Sequence, residues 1–180
     1  MIAVISDTHI PNRADKIPEE FIKIIKTAET TIHAGDFETP EIHRQIKQIS
    51  NEFYAVMGNC DKFQLPQSQT LERKELEIGV YHGTGITPRG HTPTLLDIAK
   101  NKLEVDILVN GHTHQQEVEK REDVLLLNPG TATGVGGGSS TKGNPKMATI
   151  KFQTQKDIEI TRIEKTDSGL AKQEETYSLS

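Results

Sequence analysis

The chain has 180 residues, 33% of them hydrophobic, with 26 acidic against 21 basic side chains and a formal net charge of -5. That length suits one domain, and an acid excess without a Lys/Arg run argues against a nucleic-acid or membrane-surface partner. The single cysteine, Cys60, excludes an internal disulfide, and no apolar run approaches the ~20 residues that span a bilayer. The opening MIAVISDTHI lacks a basic lead and its apolar stretch is too short for a signal peptide, so the expected location is the cytoplasm.

In chain order, Met1–Ser6 is a short apolar run that predicts a buried strand, followed by a loop with Pro11 and Asn12 as turn residues. Pro18 can open a helix, and Phe21, Ile22, Ile24 and Ile25 supply an apolar side up to Thr27. Ala28–Ala34 predicts a second strand, Thr39–Pro40–Glu41 starts a second helix that reaches about Ile49, and Asn51–Met57 predicts a third strand. This strand–helix alternation points to parallel strands with crossover helices. Beyond it, strands are expected over Thr70–Glu77 and Ile78–Tyr81 around Gly79, and a helix over Thr94–Lys102. Further strands are expected over Asp106–Asn110, Gln115–Lys120, Val124–Asn128, Met147–Gln153 and Ile158–Ile163. The expected architecture is two sheets with helices outside, in one domain over residues 1–163. The glycine-rich Gly134–Gly143 reads as a flexible loop, and residues 164–180 as a polar, loosely ordered tail.

Five of the apolar runs end in groups able to bind a metal ion. They lead into Asp7 and His9, Asp36, Asn59, His82, and the pair His112 and His114. On an extended strand end, residues i and i+2 point the same way, so Asp7 with His9, and His112 with His114, can each reach one ion together. Mixed oxygen and nitrogen donors without thiolate suit Mn, Fe, Ni, Zn or Co. Four histidines, two aspartates and an asparagine are too many for one tetrahedral ion and suit two ions ~3.5–4 Å apart that share a carboxylate. Two aspartates cancel only half the charge of two divalent ions, so the site would stay positive and attract a phosphate ester, with metal-activated water as nucleophile. Neither a Gly-x-Ser-x-Gly elbow nor a Walker sequence is present.

The order Asp7–Thr8–His9, Gly35–Asp36, Gly58–Asn59–Cys60–Asp61, His82–Gly83, Gly111–His112–Thr113–His114 resembles the calcineurin-like metallophosphoesterases, and the following Asn128–Pro129–Gly130 resembles their small microbial branch. The likeness covers roughly Met1 to Ile163 and implies an α/β fold, a four-layer αββα sandwich of two mixed sheets. It implies one metal on Asp7, His9, Asp36 and His114 and another on Asp36, Asn59, His82 and His112, with Asp36 bridging. It further implies a dinuclear phosphoesterase, with Mn as the first expectation and Ni, Fe or Zn as alternatives, acting on a small phosphate ester through a metal-bridging hydroxide. A phosphodiester is the expected substrate. A homodimer is compatible with the resemblance, which also extends to the retromer scaffold subunit, so a non-catalytic interaction scaffold and a phosphomonoesterase are the competing readings.

One position departs from the wider family, which carries histidine then an acidic residue after Gly-Asn. Here Cys60 replaces that histidine and Asp61 remains, so Asn59, Cys60 and Asp61 are the candidate catalytic residues beside the metals. A thiol of pKa ~8.5 is a poor proton donor near neutrality, and losing general acid help of ~10²–10⁴-fold slows hydrolysis without abolishing it. His33, inside the second strand, is expected to be a packed neighbour of the ligands, and His43, on a helix, to be solvated. Arg89 and His91, in the loop after His82, are candidates for holding phosphate and for supplying the missing acid.

Overall fold

Strands that read as continuously apolar are covered on both faces here, and that requirement sets the whole architecture. The computed structural model describes residues 1–138 and 142–179. The first sheet contains β1 (Ile2–Ile5), β2 (Thr30–His33), β3 (Phe53–Ala55), β9 (Lys146–Phe152), β10 (Asp157–Thr166) and β11 (Gly169–Ser178), in the order β11-β10-β9-β1-β2-β3. The second contains β4 (Ser68–Arg73), β5 (Leu76–Tyr81), β6 (Ile107–Val109), β7 (Gln116–Arg121) and β8 (Val124–Pro129), in the order β4-β5-β6-β8-β7. Both are mixed: β1–β2 and β2–β3 run parallel, as do β5–β6 and β6–β8, while β1–β9 and β7–β8 are antiparallel.

Alternation along the strands builds three apolar layers. Ile2 and Val4 of β1 meet Ile107, Val109, Leu125 and Leu127 of the other sheet in the central layer. Ala3 and Ile5 face the opposite way, onto α1 (Glu19–Thr27) and α2 (Pro40–Ile49), where Phe21 with Ile25 and Ile42 with Ile46 lie one turn apart on each helix. Leu108 and Leu126 face outward from the second sheet onto α3 (Thr92–Asp97) and the π-helical turn Ile98–Leu103 that continues it. Truncating a fully buried leucine such as Leu108 to alanine costs about 2–5 kcal/mol at such sites. The result is the expected four-layer αββα sandwich.

Several expectations need correction. The stretch after Glu164 is no loose tail: β11 pairs with β10 through ten residue pairs, Tyr177 packs on the central layer and Leu179 is 2% exposed. As an edge strand with little covered surface, it carries the polar composition of a tail. The hairpin between β4 and β5 turns at Lys74, which adopts φ 62°, and Gly79 lies inside β5. The helix expected over Thr94–Lys102 changes to π geometry at Ile98 and ends on Glu104 with φ 54°. Residues 139–141 of the expected glycine-rich loop lie outside the described residues.

Candidate metal centre

The parallel strands β1, β2, β3, β5 and β6 all deliver their carboxyl ends to one rim of the sandwich, the usual place for a site in such sheets. The ligand-bearing residues lie just past those ends, and their backbone is not extended. Asp7 (φ 52°), His9 (48°), Asp36 (62°), His112 (69°) and His114 (62°) all occupy the left-handed region that non-glycine residues avoid. The strand-alternation argument for Asp7 with His9 and for His112 with His114 is therefore replaced by a tight left-handed turn at each residue.

Ligand atoms of Asp7, His9, Asp36 and His114 all lie within 4.8 Å of one another. His114 Nε2 is 3.2 Å from Asp7 Oδ1 and 3.2 Å from His9 Nε2, and His9 Nε2 is 3.5 Å from Asp36 Oδ2. Three of these groups are almost wholly buried. On the far side of Asp36, His82 Nε2 stands 3.4 Å from the same Oδ2 and has no hydrogen-bond partner although buried. The His112 ring lies edge-on to His82, with centroids 5.1 Å apart. Asn59 is brought only to the margin: it is exposed and its amide donates to the Cys60 thiol at 3.3 Å.

Neighbours that the sequence reading did not single out fix these ligands. Glu38, 4% exposed, faces His9 Nδ1 through Oε1 at 3.1 Å and accepts a short bond from Asn12 through Oε2. His82 Nδ1 faces the Ala34 carbonyl at 2.6 Å and His114 Nδ1 faces the Val135 carbonyl at 2.7 Å. In each case the second ring nitrogen is left for the site, as in metal-bound histidines. Thr131 and Thr133 donate to the carbonyls of Asp7 and Thr8. Glu38 was detectable only as an acid two residues after Asp36; the other partners are backbone carbonyls, which carry no residue signature.

Asp61 has both carboxylate oxygens engaged by backbone amides: Phe37 and Glu38 on Oδ1 at 2.7 and 2.8 Å, Gly58 and Asp36 on Oδ2 at 2.8 and 3.1 Å. Burial raises its carboxyl above the usual range, and these amides resist that rise. It thereby ties the Asp36 turn to the Gly58–Asn59 turn. Gly58 permits this closeness, because a Cβ there would sit 2.1 Å from Asp36 Oδ1. The Cys60 amide donates to that Oδ1 at 2.7 Å. The Cys60 thiol, half-buried, is pushed up to about 12 by burial and then by the Asp36 charge, so it stays protonated.

The remaining histidines separate from the site. His33 stacks on Phe37 with ring centroids 3.5 Å apart, accepts the Gly35 amide at Nδ1 and meets Thr8 Oγ1 at Nε2; burial pushes it down to about 3, so it is neutral. His43 is not solvated as expected but half-buried among Phe37, Phe53 and Phe63. His91 bonds the Thr94 hydroxyl at the start of α3.

The charge balance fits cations. Burial pushes the Asp7 and Asp36 carboxyls up, yet the facing His114 and His82 rings and their charge carry both below the usual carboxylate range. In return, burial pushes His82 down, but Asp36 and Asp7 outweigh it and raise it to about 9; His114 is raised in the same way. Protons on these rings hold the place of positive charge. Donor separations of 3.2–3.5 Å are those of ligands ~2.0–2.2 Å from one ion. The orphaned His82 nitrogen supplies a donor on the other side of Asp36.

A buried, strained, carboxylate–histidine cluster on the carboxyl rim of a four-layer sandwich defines a metal-dependent hydrolase centre. The chain belongs to the calcineurin-like phosphoesterase superfamily, whose domain model matches residues 1–155. It is 38% identical over 166 residues to a probable metallophosphoesterase of Methanothermobacter thermautotrophicus, covering 90% of this chain and 92% of that protein. Among solved structures it is similar to Entamoeba histolytica Vps29 complexed with zinc, with a TM-score of 0.86 at 26% identity over 97% of this chain and 98% of that one. It is also similar to Chaetomium thermophilum Vps29 complexed with a cyclic peptide, with a TM-score of 0.77 at 26% identity over 99% and 97%. As a member of this superfamily the chain is a metal-binding phosphoesterase homologue, and among the described residues no helix is long and apolar enough to cross a membrane.

Proposed function

We propose that the protein is a dinuclear metal-dependent phosphodiesterase. The observation that carries this reading is a single oxygen: Asp36 Oδ2 lies 3.5 Å from His9 Nε2 and 3.4 Å from His82 Nε2, between two sets of donors. Asp7, His9, Asp36 and His114 would hold one ion, and Asp36, Asn59, His82 and His112 the other. Manganese is the first candidate, with Ni, Fe or Zn as alternatives, since the donors are oxygen and nitrogen only. When bound, such ions supply Lewis acidity toward a phosphoryl oxygen and a water acidic enough to serve as nucleophile.

The chain's own groups do the rest. Glu38 and the carbonyls of Ala34 and Val135 hold the Nδ1 protons of His9, His82 and His114, so their Nε2 lone pairs face the site. Asp61 acts by position, clamping the Asp36 and Asn59 turns, with no lone oxygen free for proton transfer to substrate. Asn59, at the exposed margin and donating to Cys60, would turn its amide toward a phosphoryl oxygen. The Cys60 thiol is a weak acid at about 12, so leaving groups that need little protonation are favoured. That weakness also counts against a phosphomonoesterase of alkyl esters.

The second reading, a non-catalytic binding protein of the same fold, draws on the likeness to a Vps29 that carries a cyclic peptide. Metal analysis paired with hydrolysis of bis(p-nitrophenyl) phosphate separates the two. The phosphodiesterase reading expects Mn-dependent turnover abolished by chelation; no turnover at full metal occupancy sinks it and favours the binding protein.

A further inference from the structure

Arg89 is exposed at the tip of the loop that follows His82, and it has neither a hydrogen-bond acceptor nor a carboxylate partner among the described residues. Its position is nevertheless defined. Gly90 lies against the ligand loop: a Cβ there would be 2.8 Å from the methyl of Thr113, the residue between His112 and His114. The Arg89 Nη1 atom is 3.5 Å from the place of a Cβ on Gly138. The adjoining Gly137 leans on the same ligand loop, its Cβ place 2.5 Å from the Thr113 carbonyl and 3.3 Å from His114 Cβ. The guanidinium therefore sits where two loops converge on Thr113, the residue between His112 and His114. Arg13 reaches the same glycine-rich stretch from the other side, but its guanidinium donates to the Gly136 carbonyl.

An exposed guanidinium with no carboxylate partner among the described residues keeps its N–H donors available to an incoming anion. We infer that Arg89 binds a second anionic group of the substrate, carried on the ester arm away from the scissile phosphorus. This inference rests on the phosphodiesterase reading and narrows its substrate class to diesters whose arm ends in a phosphate or a carboxylate, anions that present two oxygens to the paired N–H groups of a guanidinium. In the phosphodiesterase reading the scissile phosphate would be held at the metals, which leaves Arg89 for a different group of the substrate.

The test uses Mn-loaded protein and three p-nitrophenyl phosphodiesters with methyl, 2-carboxyethyl or 2-phosphonoethyl second arms. Wild type is expected to prefer the charged arms, and the last two compounds tell carboxylate from phosphate recognition. Arg89→Ala is expected to lose on the order of ten-fold in kcat/KM on the preferred charged ester, chiefly through KM, and to leave the methyl ester unchanged. Arg89→Lys should recover part of the loss. An equal loss on all three esters, or a wild type without preference, overturns the inference while leaving the phosphodiesterase reading intact. Hydrolysis of none of the three retires that reading instead. The inference is then decided by binding of 3-phosphonopropionate against methylphosphonate to the metal-loaded protein, where equal wild-type affinities overturn it.

Discussion

On one side of Asp36, the Asp7, His9 and His114 donors converge with it to within 4.8 Å, buried and held from behind by Glu38 and the Val135 carbonyl. On the other side, the His82 and His112 rings are 5.1 Å apart, and Asn59 is exposed and bonded to Cys60 rather than to either of them. The first side could hold an ion as it stands. The second has one nitrogen, His82 Nε2, without a hydrogen-bond partner beside Asp36. In the proposed dinuclear reading Asn59 would have to turn from Cys60 to join that side, which makes it the adjustable half of the centre. Six left-handed residues, Asp7, His9, Asp36, Glu38, His112 and His114, share this one rim, where Asp61 holds the Glu38 amide and Thr131 and Thr133 hold the carbonyls of Asp7 and Thr8.

Removing what the two sides share should have the largest effect. Asp36→Asn keeps the shape but halves the carboxylate charge, and is expected to lower kcat by roughly 10³-fold or more, the several kcal/mol that metal stabilisation supplies. Metal content measured alongside should fall on both sides; retention of two ions with normal turnover would falsify the bridging role. Glu38→Gln addresses the first side alone. It is expected to weaken the tighter metal equilibrium by about 10–100-fold and leave the weaker one in place, as read by chelator competition. An equal change in both equilibria would show that the two sides are not independently supported.

How much of this was readable from residues alone follows the same division. The cluster of Asp7, His9, Asp36 and His114 was legible because each follows a change from apolar run to donor, and the sandwich because strands covered on both faces cannot hide their apolar content. β11 was not, since an edge strand with one sparsely covered face needs few apolar residues, and within it Leu170 and Tyr177 are the hydrophobic residues that pack on the core clusters. The left-handed turns at Asp7, His9 and His114 were illegible because Asp and His, although enriched at positive φ, adopt it at only a small share of their positions. His43 looked solvated because its aromatic partners Phe37, Phe53 and Phe63 come from three separate segments.

Proton competition should distinguish the sides next. In the metal-free protein His82 is raised from 6.5 to about 9, whereas His112 is lowered, so His82 must give up a proton before it can ligate. Metal affinity on the second side is expected to rise with pH from 6.5 up to about 9 and to level off above, with a proton released per ion across that window. Calorimetry in two buffers of different ionisation enthalpy measures the release, and none at pH 7.5 contradicts the His82–Asp36 pairing. The same raised group stabilises the metal-free fold below pH 6.5 and loses that contribution as pH rises through about 9, so chelated protein should melt lower at high pH while metal-loaded protein should not. The smallest effect is expected at Cys60, which touches the adjustable side. Cys60→His should raise turnover by about ten-fold on a diester with a poor leaving group and hardly at all on p-nitrophenyl esters. A uniform change on both would remove the missing-acid argument.

The most direct test is a stepwise titration of chelated protein with Mn, following bound metal and phosphodiester hydrolysis in the same samples. The account predicts a first, tighter equivalent that brings little activity and a second, weaker one with which hydrolysis appears. Full activity at one equivalent, or none at two, would contradict it.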